Sequence, residues 1–145
     1  MTNQNTAPYA ALILRISLGV LFLAHGALKL FVFTPAGTVG FFGSLGLPAI
    51  FAYLTILAEV GGGIALIAGF ATRLVSIATL PILLGAVFMV HGANGWLYTN
   101  PNGGWEFPAF WAATLVVQAL LGDGAYAVRT PKILSLTPDS FARQS

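Results

Sequence analysis

The chain has 145 residues, 57% of them hydrophobic and only 7% charged, with a formal net charge of +2. Ordinary soluble domains carry about 25% charged residues, so this balance points to a membrane protein. The few scattered Lys and Arg residues exclude a phosphate-tracking nucleic-acid surface, and the absence of cysteine removes thiol–disulfide chemistry, iron–sulfur ligation and Cys-type zinc sites.

Four apolar runs follow one another: Tyr9 to Phe33, Pro48 to Phe70, Thr72 to Val90 and Phe107 to Val128. Each reaches the roughly 20 helical residues needed to cross about 30 Å of hydrocarbon, and none shows the polar face of a soluble helix. The expected fold is all-α, a transmembrane four-helix bundle in one domain over residues 8–128. An irregular cytoplasmic tail is expected over residues 129–145.

The opening MTNQNTAP lacks the basic cluster and cleavage site of a secretory signal. The first helix is therefore expected to remain as an uncleaved anchor. It begins at Pro8, which suits a first helical turn, carries Arg15, His25 and Lys29, and ends near Thr34-Pro35. Between Pro35 and Pro48 the glycine-rich stretch with Val39, Phe41, Phe42 and Leu45 is too short to span. It reads as a short helix or re-entrant turn at the interface.

The second run carries a lone Glu59 followed by Gly61, Gly62 and Gly63. Such small residues let a neighbouring helix approach closely in lipid. The brief turn Gly69 to Arg73 makes runs two and three antiparallel neighbours. Pro81 should kink the third run, which ends at His91-Gly92. The loop that follows holds Trp96, Tyr98 and Trp105, aromatics of the headgroup layer. The fourth run starts near Phe107-Pro108 and stops around Gly122-Asp123-Gly124 or slightly later. Trp111, Thr114, Gln118 and Gly122 share one face of it.

Four spans put both termini on one side. Arg73, Arg129, Lys132 and Arg143 fall there, whereas Lys29 stands alone near the other side. By the positive-inside rule both termini are expected in the cytoplasm, in a multi-pass protein of the cell inner membrane.

Ionisable residues at membrane depth cost at least a few kcal/mol and so need a partner or a task. Counting from the cytoplasmic helix ends puts Arg15 about 9 Å deep, Glu59 about 16 Å and Gln118 about 13 Å. These three are expected to form one polar layer. It reads either as a structural ion pair or as a proton-handling, ligand-anchoring carboxylate. A second layer lies farther out, with His25 about 24 Å and His91 about 28 Å along their helices. The stripe Arg15, Gly19, Phe22, His25 and Lys29 should face the interior. Asn94, Trp96, Tyr98 and Glu106 sit in the loop above. Neutral imidazoles donating to a quinone carbonyl, haem ligation by His25 and His91, a divalent metal held with Glu106, and proton transfer all fit the second layer. So does a plain helix-end role. Between the two layers the middle of the bundle reads as largely apolar.

The chain resembles the DoxX family of small four-helix membrane proteins from about Leu12 to Val128. The matching stretches are LRISLGVLFLAHGALKLF, LGLPAIFAY, AEVGGGIALIAGFATRL, MVHGANGW, NGGWEFP and the closing GDGAYAV. Where members often end GxGxxSLD, this chain reads GDGAYAVRT. Arg15, His25, Lys29, Glu59, Arg73, His91 and Glu106 match the family's polar pattern. The family takes its name from a membrane subunit linked to thiosulfate:quinone oxidoreductase. Many members carry an oxidoreductase label without a demonstrated substrate.

The first functional reading is a redox-associated subunit binding a quinone-like or other hydrophobic molecule within the bundle. His25, Lys29, Glu59 and His91 would do its chemistry, and Arg15, His25, His91, Glu106, Trp111 and Gln118 would hold the ligand. A quinone suits these residues better than a haem. Electrons would come from a redox partner protein or a bound cofactor. The alternative is a non-enzymatic module that binds or transports lipid or a small solute, acts as a homo-oligomer, or steadies a membrane partner. A metal-dependent hydrolase using two His and Glu106 ranks last.

Overall fold

Apolar sequence in oil must satisfy its own backbone, and helices do so within one segment. The computed structural model describes residues 6–136, and within them every regular element is helical. Helix α1 runs over Ala7–Ala27, with Pro8 in its first turn as the sequence predicts. It continues into a wider π-helical turn at Leu28–Val32. The short interfacial segment forms α2, Thr34–Ser44. Helices α3 (Ala49–Ala68) and α4 (Thr72–Gly85) follow. Pro81 lies inside α4 without ending it, and a second π-helical turn, Ala86–His91, prolongs it. The last helix, α5, covers Glu106–Leu121.

Helices α1, α3 and α4, counted with their π-helical extensions, are long and apolar enough to cross a membrane. The shorter α5 completes the four-helix bundle, with α2 as the interfacial helix between the first and second spans. Leu57, Ile64, Phe88, Phe110 and Leu120 all point outward, an apolar perimeter suited to lipid rather than water. The inward stripe of α1 holds as read: Arg15, Gly19 and Phe22 are buried, and His25 and Lys29 are half-buried. On the facing side of α5, Trp111 and Gln118 are buried.

Helix α1 lies close against α3 because glycine meets glycine. A Cβ at Gly19 would stand 2.8 Å from the carbonyl oxygen of Gly63, and one at Gly63 would stand 2.9 Å from that of Gly19. No larger side chain fits that crossing without parting the two backbones. The α3–α4 turn is tight. Gly69 takes φ +73° as the cap of α3, and Phe70 N–H returns to the Ala65 carbonyl at 2.9 Å, closing the helix end.

The fourth span ends at Leu121, so the helix does not run on to Val128. Its 16 residues rise only about 24 Å. From Gly122 onward the chain turns back across the bundle end. Ala125 N–H donates to the Pro8 carbonyl at 2.9 Å, and Val128 N–H to the Ala68 carbonyl at 3.0 Å. Asp123 Oδ1 accepts from Thr72 N–H at 3.1 Å, capping α4. Irregular backbone at this depth survives because it is held by protein rather than left to lipid. Of the tail expected to be irregular, the described part holds a single 3₁₀ turn at Lys132–Leu134. Arg143 and the rest of 137–145 lie outside the described residues.

Candidate functional site

Both π-helical turns sit at the end of the bundle away from the N-terminus, and each carries a polar residue of interest. Lys29 lies on the first and His91 on the second. A π turn inserts an extra residue, re-aims the side chains after it, and is frequent at functional sites. Lys29 Nζ donates to Glu59 Oε1 at 2.8 Å, and the two side chains are 18% and 5% exposed.

That pairing corrects the polar layer expected from the sequence. Arg15, Glu59 and Gln118 do not meet. The Arg15 guanidinium donates instead to the carbonyls of Leu66 at 3.1 Å, Ile67, and Ala125 at 2.8 Å. Gln118 Nε2 donates to the Gly122 carbonyl at 2.8 Å. The physical reason is stagger. Arg15 stands level with the last turn of α3, yet α1 begins eight residues earlier, at Ala7. The first two turns of α1 therefore overhang α3 by about 12 Å. Equal counts from the two helix ends are not equal depths, and Glu59 falls beside Gly26, within one turn of both His25 and Lys29.

These groups line one cavity of about 620 Å³ in the half of the bundle away from the N-terminus. Its polar wall is His25, Lys29, Glu59 and His91, with Trp111 beside them. Phe41 and Phe42 of α2 close it towards the interface, and α3 and α4 supply the remaining, mostly apolar, wall. The size is that of a pocket for a small organic molecule, and so is the balance of many apolar and few polar groups.

The hydrogen bonds assign the imidazole protons. His25 Nδ1 lies 2.8 Å from the Leu21 carbonyl and His91 Nδ1 lies 2.9 Å from that of Gly103. A carbonyl only accepts, so Nδ1 carries the proton in each ring and Nε2 is left as the acceptor of the neutral form. The sequence reading of neutral imidazoles donating to a quinone carbonyl is corrected by this. Donation from Nε2 requires the imidazolium, whereas the neutral rings accept from a hydroxyl. The His25 ring meets Trp111 edge-on at a centroid distance of 4.8 Å. Glu59 Oε2 and Trp111 Nε1 are buried and hold no hydrogen bond among the described residues.

Glu106 stands apart. Its Oε1 accepts from Tyr98 N–H at 2.8 Å, fastening the α4–α5 loop. Among the described residues no three His, Asp or Glu side chains converge as a metal site, so the hydrolase alternative has no donor set.

Two features escaped the sequence reading. One is the contribution of Phe41 and Phe42 to the cavity wall, hidden because a short interfacial helix or re-entrant turn does not by itself show which spans it packs against. The other is a buried polar row on α4, Thr72, Ser76 and Thr79. Its i, i+4, i+7 spacing is the signal that could have found it. The middle of the bundle is thus less apolar than the sequence suggested.

The DoxX family model matches residues 10–92. "Putative oxidoreductase CatD" of Bacillus subtilis (strain 168) is 39% identical over 79 residues, which are 54% of this chain and 58% of that protein. "Inner membrane protein YqjF" of Escherichia coli (strain K12) is 30% identical over 125 residues, 81% of this chain and 87% of its own length. "Inner membrane protein YphA" of the same strain is 29% identical over 128 residues, with 83% and 89% covered. No solved structure matches the chain.

Proposed function

Because this chain belongs to the DoxX family, we propose that it is a redox-associated inner-membrane subunit that binds a quinone-like molecule in the cavity beneath α2. The observation that carries the reading is the meeting of His25, Lys29, Glu59 and His91 on one wall of an otherwise apolar pocket. An aromatic diketone needs an apolar slot for its ring and a proton-active group near each oxygen. Lys29 has three N–H groups, of which one is held by Glu59, so two remain to donate to a carbonyl. The Nε2 atoms of His25 and His91 accept from the hydroxyls of the reduced form. Reduction of a quinone to the quinol consumes two electrons and two protons. This wall handles the protons, and the electrons come from a redox partner protein.

In this reading Arg15, Gln118 and Glu106 hold the scaffold and do not touch the ligand. The termini face the cytoplasm, because Arg73, Arg129 and Lys132 gather at their end of the bundle. The same cavity also admits the non-enzymatic alternative, a carrier of a hydrophobic solute. A tailless methylnaphthoquinone separates the two, because a redox-inert carrier has no reason to favour its oxygens. Added to the detergent-purified protein, it should quench tryptophan fluorescence saturably, since Trp111 lines the pocket. For the reduced ring, whose hydroxyls donate to the two Nε2 atoms, His25→Ala and His91→Phe should each weaken the binding about tenfold, the equivalent of one lost hydrogen bond of about 1.4 kcal/mol. Linear quenching without saturation, or affinities unchanged in both variants, would remove the proposal.

A further inference from the structure

We infer that the cleft between α3 and α4 is a side door to the bilayer, through which the ligand's hydrophobic tail leaves the cavity, and that Ala78 at its rim governs selectivity for tailed ligands. The inference rests on the quinone-like reading for the head and adds where the tail goes.

The two helices start close together. A Cβ at Gly62 would lie 3.0 Å from Thr79 Cγ2, about two helical turns from the tight Gly69–Ala71 connection. Farther along they part, and the cavity occupies the gap. On α3 its lining residues Phe51 and Leu54 are 47% and 50% exposed. On α4, the lining residues Ala78, Pro81 and Met89 are exposed as well. The wall therefore runs from the pocket onto the lipid-facing surface without a break.

Polarity is graded along the same line. The imidazoles, Lys29 and Glu59 stand on the inner wall, and no charged side chain stands at the α3–α4 rim. Towards the interface Phe41, Phe42 and Leu45 form an apolar roof. A quinone ring and a polyprenyl chain of ordinary length together exceed about 620 Å³, so the chain must leave somewhere. The roof leads to headgroups and water, which penalise such a chain by about 0.8 kcal/mol for each CH₂ kept wet. The cleft leads to hydrocarbon, where that cost is absent. The occupant of the cleft is accordingly the tail of the bound ligand, with its head against Lys29.

The test is done in lipid nanodiscs with two probes, a methylnaphthoquinone without a tail and the same ring carrying a four-isoprene chain. Affinities are referred to probe per lipid, so that partitioning cancels. Ala78→Phe places a ring in the doorway on a side that faces lipid, and Leu120→Phe, on the outer face of α5, serves as the control. The ratio of tailed to tailless affinity should fall at least tenfold in Ala78→Phe and stay put in Leu120→Phe. An unchanged ratio in Ala78→Phe, with the ring still bound, overturns the doorway and leaves the quinone reading standing. Failure of the parent protein to bind the tailless ring saturably overturns both.

Discussion

Lys29→Met should lower the stability of the bundle by about 3–5 kcal/mol, the typical result of leaving one member of a buried ion pair without its partner. The carboxylate of Glu59 is only 5% exposed, sits in the middle of α3, and has no alternative cation within its hydrogen-bonding reach among the described residues. Glu59→Gln should cost less. The orphaned ammonium of Lys29 belongs to a more exposed side chain near a helix end, and its four-carbon stem lets it reach towards the headgroups. The double variant Lys29→Met with Glu59→Gln removes both charges and should recover most of the loss, because a buried pair replaced as a unit is close to neutral. Thermal unfolding of the four proteins in one detergent measures all of this. Equal and additive losses would mean that the 2.8 Å contact contributes nothing as a pair.

Arg15→Met should be comparably damaging for a different reason. The last carbonyls of a helix have no partner within it. Here the guanidinium at 1% exposure supplies partners to Leu66 and Ile67 and also clasps Ala125 of the returning segment. Hydrogen bonds from a charged donor contribute about 1.5–3 kcal/mol each, so loss of the set should cost about 3 kcal/mol or more. Arg15→Lys should rescue only part of it, since an ammonium is a single point and cannot fork to carbonyls on two segments. The local readout is proteolysis at 122–128, which should become fast in Arg15→Met while α3 and α4 stay protected. Retained protection there would show that the segment holds itself in place.

The two variants together explain what was legible in the sequence. Fold class was written in composition and run length, which depend on the solvent alone. The inward face of α1 was equally readable, because one helical stripe holds Arg15, Gly19, Phe22, His25 and Lys29 whatever α1 packs against. The partner of Glu59 was not. It depends on how far α1 overhangs α3, which the Gly19–Gly63 crossing sets and which no single helix encodes. The end of α5 was half legible: Gly122 and Gly124 marked a stop, but the segment after them is held by backbone hydrogen bonds to Pro8 and Ala68, and such bonds leave no trace in side-chain pattern. The imidazole tautomers were illegible too, because carbonyls of Leu21 and Gly103 fix them.

Photolabelling reads the location of the ligand itself. An azido-quinone irradiated on the protein in lipid, digested and mapped, should label α3 between Phe51 and Glu59 and the stretch from Ala78 to His91. An excess of unmodified quinone should suppress that label. Label that competes but falls elsewhere, on the outward face of α5 for example, would contradict the pocket formed by His25, Lys29, Glu59 and His91, as would label there that excess quinone leaves untouched.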